Sequence, residues 1–149
     1  MLAQGDLAPD FALPDQSGTI VRLTDLLDVG PVVLFFYPAA LSSGCTAEAC
    51  SFRDLAAEFS QAGAQRLGIS ADDVETQKEF ADMNSFDYPL VSDTDRAVAT
   101  AYGVRRRFGP SKRATFVIGT DGKIIRTVSS ELRMSKHADE ALAALKLDL

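Results

Sequence analysis

Tryptophan is absent from the chain, histidine occurs once and cysteine twice. His137, Cys45 and Cys50 are too few nitrogen and sulfur ligands, at the wrong spacing, for a zinc-type centre. No bound metal or other cofactor is expected. No apolar run approaches the roughly 20 residues that cross a bilayer. The opening Met1-Leu2-Ala3-Gln4-Gly5-Asp6 lacks the basic stretch and apolar run of a secretory leader. The expectation is a cytoplasmic protein without membrane attachment. Basic residues are in the minority, 15 Lys and Arg against 21 Asp and Glu, for a net charge of −6. That balance argues against nucleic acid as the main partner, because phosphate binding needs an excess of cations. Repeats, linkers and low-complexity segments are also missing.

What is present is an ordinary globular composition, 46% hydrophobic and 24% charged over 149 residues, read as one domain, 1–149. Phe11 and Leu13, then Ile20, Val21 and Leu23, flank a turn at Asp15-Gln16-Ser17-Gly18 and predict a short hairpin. Val32 to Tyr37 is continuously apolar, as in a central strand buried on both faces. From Cys45 to Ala62 the positions Ala49, Phe52, Leu55, Ala56 and Phe59 recur at helical steps, and Gly63 ends the run. A strand over Arg66–Ser70 follows, then a helix capped by Asp72 or Asp73 and reaching Asn84. A short helix over Arg96–Ala101 follows Asp93-Thr94-Asp95. Ala114–Gly119 and Lys123–Ser129 alternate around Asp121-Gly122, a hairpin signal. Ser135 is expected to cap a last helix to Leu145. Strands alternating with helices, plus one late hairpin, give an α/β three-layer sandwich with a mixed sheet.

The densest stretch chemically is Phe35 to Cys50. It sets both cysteines just after the apolar strand, at the start of a helix. Backbone N–H groups and the positive end of the helix dipole favour thiolate there, the form that attacks electrophiles and is oxidised. A second thiol five residues on can trap what the first becomes. Pro38, Ser42 and Cys45 fit the pattern Pro-x-x-x-Thr/Ser-x-x-Cys, and Gly44-Cys45-Thr46-Ala47-Glu48-Ala49-Cys50 extends it. This resembles the peroxiredoxins, in particular the peroxiredoxin Q or bacterioferritin comigratory branch. Asp10-Phe11, Tyr88-Pro89-Leu90-Val91-Ser92-Asp93 and Arg113-Ala114-Thr115-Phe116-Val117-Ile118 carry the likeness along the chain.

The resemblance implies a thioredoxin-like fold and a thiol peroxidase of hydrogen peroxide and organic hydroperoxides, recycled by thioredoxin or a similar dithiol. It also implies a monomer, or at most a weak dimer. Cys45 is then the attacking thiol. Arg113, just before the strand Thr115–Ile118, is the guanidinium that holds sulfur and peroxide oxygen together, for which its planar fork suits it better than lysine. Ser42 offers a hydroxyl to the sulfur or the peroxide. Pro38 shapes the pocket floor, and Glu48, one turn from Cys45, orients Arg113 by an ion pair. Cys50 is the resolving thiol. On a regular helix, residues five apart lie roughly 8.7 Å apart at Cα, beyond the ~7 Å a disulfide spans, so that helix must unwind before the bond closes.

The loop departs from the branch pattern Lys-Asp-Asp-Thr-Pro-Gly-Cys by reading Ala39-Ala40-Leu41-Ser42-Ser43-Gly44-Cys45. Serine in place of the second proline loosens it, and Leu41 gives the rim an apolar character suited to larger organic or lipid hydroperoxides. Rival readings are inert core thiols, a thioredoxin-like disulfide reductase, and a scaffold that senses peroxide without turnover. A disulfide reductase would carry Cys-x-x-Cys and a proline where Ala114 stands. Arg105-Arg106-Arg107, Lys112 and Arg113 read as a solvated loop beside an anionic site. His137 reads as a surface residue of the last helix.

Overall fold

The protein is described by a computed structural model covering residues 1–148, with side chains to Lys146. A small antiparallel hairpin, β1 (Ala12–Pro14) and β2 (Ile20–Arg22), comes first. The Asp15 carboxylate accepts from the Ser17 and Thr19 amides, and Gly18 takes a φ of +85° to close its turn. The chain continues through α1 (Leu23–Leu27), β3 (Val32–Phe36), α2 (Ser43–Asp54), α3 (Ala56–Gln61) and β4 (Gln65–Ser70). It ends with α4 (Val74–Asn84), β5 (Leu90–Ser92), α5 (Ala97–Ala101), β6 (Ala114–Ile118), β7 (Ile124–Ser129) and α6 (Met134–Asp148).

The main sheet has the order β5-β4-β3-β6-β7. The pairs β5–β4 and β4–β3 are parallel, and β3–β6 and β6–β7 are antiparallel. Every residue of β3 is buried, and its alternate side chains feed two different cores. Val33, Phe35 and Tyr37 point to the layer holding α2, α3, α4 and α6, where Phe35 stacks on Phe52 with ring centroids 4.2 Å apart. Val32, Leu34 and Phe36 face the other layer, with Leu23, Val98, Tyr102 and Phe116. The expected α/β three-layer sandwich with a mixed sheet is what the chain forms.

Three local expectations change. The helical stretch after Cys45 is broken at Leu55, whose φ of −100° and ψ of 23° leave the α region. There the Arg66 guanidinium donates to the Phe52 carbonyl at 3.0 Å, capping α2 from β4. Asp73 alone caps α4, accepting from the Thr76 amide at 2.8 Å, while Asp72 turns to the loop after β3. The last helix begins at Met134 rather than being capped by Ser135. Ser130 instead accepts from the Arg133 amide ahead of it.

Candidate active site

The site forms where β3 ends and α2 begins. Pro38 takes the chain out of the sheet directly after the buried Tyr37. The Ala40 amide then donates to Asp72 Oδ2 at 2.7 Å, tying the loop to the end of β4. Leu41 adopts a left-handed φ of +68°, strained for a residue with a Cβ, and it is exposed. Ser42 is the N-cap of α2: its Oγ accepts from the Cys45 amide at 3.4 Å and donates to the Ala39 carbonyl at 2.9 Å. The expected hydroxyl for sulfur or peroxide is therefore engaged by backbone on both sides, and its visible effect is to set the first turn.

Cys45 lies in that turn with only 1% of its surface exposed. Arg113 Nη2 is 3.4 Å from its Sγ, a donor aimed at the sulfur. Arg113 Nη1 is 3.0 Å from Glu48 Oε1, so one guanidinium spans thiol and carboxylate. The Glu131 carboxylate accepts from the Arg113 amide at 3.0 Å and pairs with Arg106 at 2.9 Å, fastening the exposed basic loop to the site. Gly44 borders the guanidinium closely: a Cβ placed on it would come within 3.3 Å of Arg113 Nη2.

Glu48 is fully buried. Loss of water pushes its pKa up from 4.5 to about 8, against the opposing pull of Arg113. Its Oε2 has no hydrogen-bond partner, and neither does Arg113 Nε, so the pair is only partly satisfied.

Cys50 projects elsewhere. It is half-buried, and its Sγ lies 3.8 Å from Asn84 Oδ1 at the end of α4. Both cysteines are free and α2 is helical through them. Between them the Ala49 carbonyl accepts from the buried Tyr88 hydroxyl at 2.6 Å.

The site thus gathers Ser42, Cys45, Glu48 and Arg113, keeps Cys50 on another face of the same helix, and leaves Pro38 lining a separate small cavity with Tyr37, Ser70 and Asp93. His137 was misread as a surface residue. Its ring is fully buried between α6 and the β6–β7 hairpin. Nδ1 is 2.8 Å from Thr115 Oγ1, Nε2 is 2.8 Å from the Ser130 carbonyl, and Nε2 lies 3.4 Å from Glu48 Oε2. Two saturated ring nitrogens make burial of the imidazole tolerable. The signal was available: His137 falls on the same helical stripe as Ala138, Ala141, Ala144 and Leu145. In the sequence Asp72 reads only as a helix cap and Tyr88 only as part of a family-like stretch, and no local pattern marks Glu131.

A cysteine in the first turn of the helix that follows the central strand of such a sheet defines a thiol protein of the thioredoxin-like class. Comparison with known proteins then fixes the family. A model of the AhpC/TSA family matches residues 4–127, and the chain belongs to that family, the peroxiredoxins. Peroxiredoxin Bcp of Escherichia coli is 39% identical over 152 residues, covering 97% of this chain and 96% of that protein. Among solved structures, the peroxidoxin BcpB of Mycobacterium tuberculosis superposes with a TM-score of 0.96 at 54% identity, covering 99% and 98% of the two chains. The bacterioferritin comigratory protein of Xanthomonas campestris, studied for alkyl peroxide reduction, gives a TM-score of 0.88 at 31% identity over 99% of both chains. No helix among the described residues is long and apolar enough to cross a membrane.

Proposed function

We propose that the protein reduces hydroperoxides through Cys45, resolves the oxidised sulfur with Cys50 of the same chain, and is recycled by thioredoxin or a similar dithiol protein. The observation that carries this reading is the Arg113 guanidinium, 3.4 Å from the Cys45 sulfur and 3.0 Å from Glu48. A thiolate at Cys45 has a fixed cationic donor beside it, and a peroxide oxygen arriving over Gly44 meets the same fork.

In the first step a sulfur lone pair attacks the terminal peroxide oxygen and the O–O bond breaks. The sulfur is oxidised by two electrons to sulfenate, and the departing alkoxide takes a proton to leave as alcohol, or as water from hydrogen peroxide. In the second step the sulfenate takes up a proton from solvent, the Cys50 thiolate attacks the Cys45 sulfur, the S–O bond breaks, and the departing hydroxide takes a second proton to leave as water. Cys50 must first quit its place beside Asn84, because two Cα atoms five positions apart on α2 stand roughly 8.7 Å apart. The first turns of α2 therefore open, releasing Glu48 and the Tyr88–Ala49 hydrogen bond. The dithiol partner reduces the disulfide by exchange, taking the oxidising equivalents as its own disulfide.

The apolar rim at Leu41 suits organic hydroperoxides, and a monomer in the cytoplasm suffices for every step. Peroxide consumption coupled to thioredoxin, thioredoxin reductase and NADPH tests the reading. Cys45→Ser is expected to abolish turnover. Cys50→Ser is expected to give one fast turnover and then stall. Wild-type protein that consumes only one equivalent of peroxide with any dithiol would sink the enzyme reading in favour of a sensor.

A further inference from the structure

The proposed chemistry uses Cys45, Arg113 and Glu48 but leaves one buried, titratable ring beside them without a task. His137 joins three elements at once: α6 through its own backbone, β6 through Thr115, and the end of β7 through the Ser130 carbonyl. The hydrogen-bond chemistry fixes its tautomer. A carbonyl only accepts, so the nitrogen facing Ser130, Nε2, carries a proton. Burial, the largest influence on the ring, pulls its pKa below the ordinary histidine value, so the ring is neutral and Nδ1 accepts from the Thr115 hydroxyl.

The orientation of that one N–H has a consequence for Glu48. Nε2, whose N–H is given to the Ser130 carbonyl at 2.8 Å, lies 3.4 Å from Glu48 Oε2, a carboxylate oxygen without a hydrogen-bond partner. A carboxylic acid with its proton on Oε2 would set O–H against N–H, donor against donor, whereas the ionised carboxylate meets a positive edge. Oε1 of Glu48 is thus bound by Arg113, while Oε2 faces the positive edge of the His137 ring, and both bear on the plane of the carboxylate. The plane of the Arg113 guanidinium follows, and with it the aim of Nη2 at the Cys45 sulfur. The other charged groups that act on the ring are Arg113 ahead of β6, Glu131 in the loop after β7, and Lys136 on α6 itself.

We infer that His137 is a positioning residue for peroxide reduction: the positive edge of its ring at Nε2 favours the ionised and oriented form of Glu48, and Glu48 in turn holds Arg113 on the Cys45 sulfur. The inference rests on Cys45 being the attacking thiol. Failure of that assignment would show separately, as a Cys45→Ser protein that still consumes peroxide catalytically.

The test is the rate constant for oxidation of the fully reduced protein by hydrogen peroxide, measured by competition with a haem peroxidase across pH 5–9. His137→Leu is expected to lower the rate about tenfold at neutral pH. It should also move the half-maximal pH upward by about one unit, since Glu48 then keeps its proton longer. His137→Gln, whose amide N–H reaches the place of Nε2–H, is expected to restore both. In a Glu48→Gln background His137→Leu is expected to leave the pH profile where it was, because the group it acts through is gone.

An unshifted or downward-shifted midpoint in His137→Leu overturns the inference, as does a folded His137→Gln that behaves like leucine, or an equal shift without Glu48. If His137→Leu does not fold, Thr115→Val takes its place. That change removes the hydroxyl that fixes the ring and is expected to shift the midpoint upward by a smaller amount. No shift there is equally fatal.

Discussion

Glu48, in the second turn of α2, and Asp93, just ahead of α5, are both buried carboxylates, and burial raises the pKa of each. Their partners differ in kind. Asp93 accepts from the backbone amides of Val98 and Ala99 at 3.2 and 2.9 Å, and its own amide donates to Ser70. Those donors belong to the frame and stay where the helix stays. Glu48 is held by a side chain, the Arg113 guanidinium at Oε1, with His137 3.4 Å from an Oε2 that has no hydrogen-bond partner and one guanidinium nitrogen left over. A carboxylate bound to backbone stiffens a corner. One bound to movable side chains can be set, released and set again, which the proposed opening of α2 requires.

Replacing a partner on the Glu48 side should therefore affect both stability and chemistry, and on the Asp93 side stability alone. Arg113→Met leaves a buried carboxylate without its counter-charge and should cost about 3–5 kcal/mol in urea unfolding at pH 9. Its rate of Cys45 oxidation should fall by at least about a hundredfold. A variant that kept its rate would remove Arg113 from the chemistry altogether.

The next effect is in pH. Glu48 holds its proton more tightly when folded, with its pKa raised from 4.5 to about 8, so the native state binds more protons than the unfolded one between those values. Its contribution to stability is consequently full below pH 4.5 and declines as pH rises towards 8. Glu48→Gln should flatten that part of the stability profile, and an unchanged slope would assign it to other groups. Asp93→Ala removes the acceptor for two helix amides and should cost about 1–2 kcal/mol while leaving the peroxide rate within about a factor of two. A large rate loss there would erase the contrast between the two corners. The smallest change is Tyr88→Phe, which deletes one hydrogen bond to the Ala49 carbonyl at about 1 kcal/mol. Disulfide closure after a peroxide pulse, read by thiol titration, should then be faster, and slower closure would mean that Tyr88 does not restrain the opening of α2.

The parts of this arrangement that could be read in advance are those written in neighbouring residues. The loop from Pro38 to Cys50 carries its chemistry in spacing, and β3 declares itself by being apolar throughout. Even the Glu48–Arg113 pair followed from helical periodicity and a likeness to known loops. What escaped depends on contacts between distant segments. Leu55 breaks a periodic helix because Arg66, from a strand further on, takes the Phe52 carbonyl. Asp72 looked as good a cap as Asp73, and only the position of Ala40 assigns it to the loop. His137 was placed by residue type, although the stripe it shares with Ala138 and Ala141 said otherwise.

The break at Leu55 also sets how far a disturbance can spread. Helix melts cooperatively, each residue loosening the next through shared hydrogen bonds, so an unbroken rod to Gln61 would carry an opening at Cys45 deep into the protein. With the rod ended at Asp54, the proposed movement would behave as a hinged flap. Phe59 on α3 stays seated in the core, and Arg66 keeps its place as a peg on the flap's fixed end. After each such opening the residues around Cys45 would find half of their helix still standing, a template against which the rest rewinds. The return to the armed state then becomes a local event, repeatable many times without reopening the sheet that organises everything else.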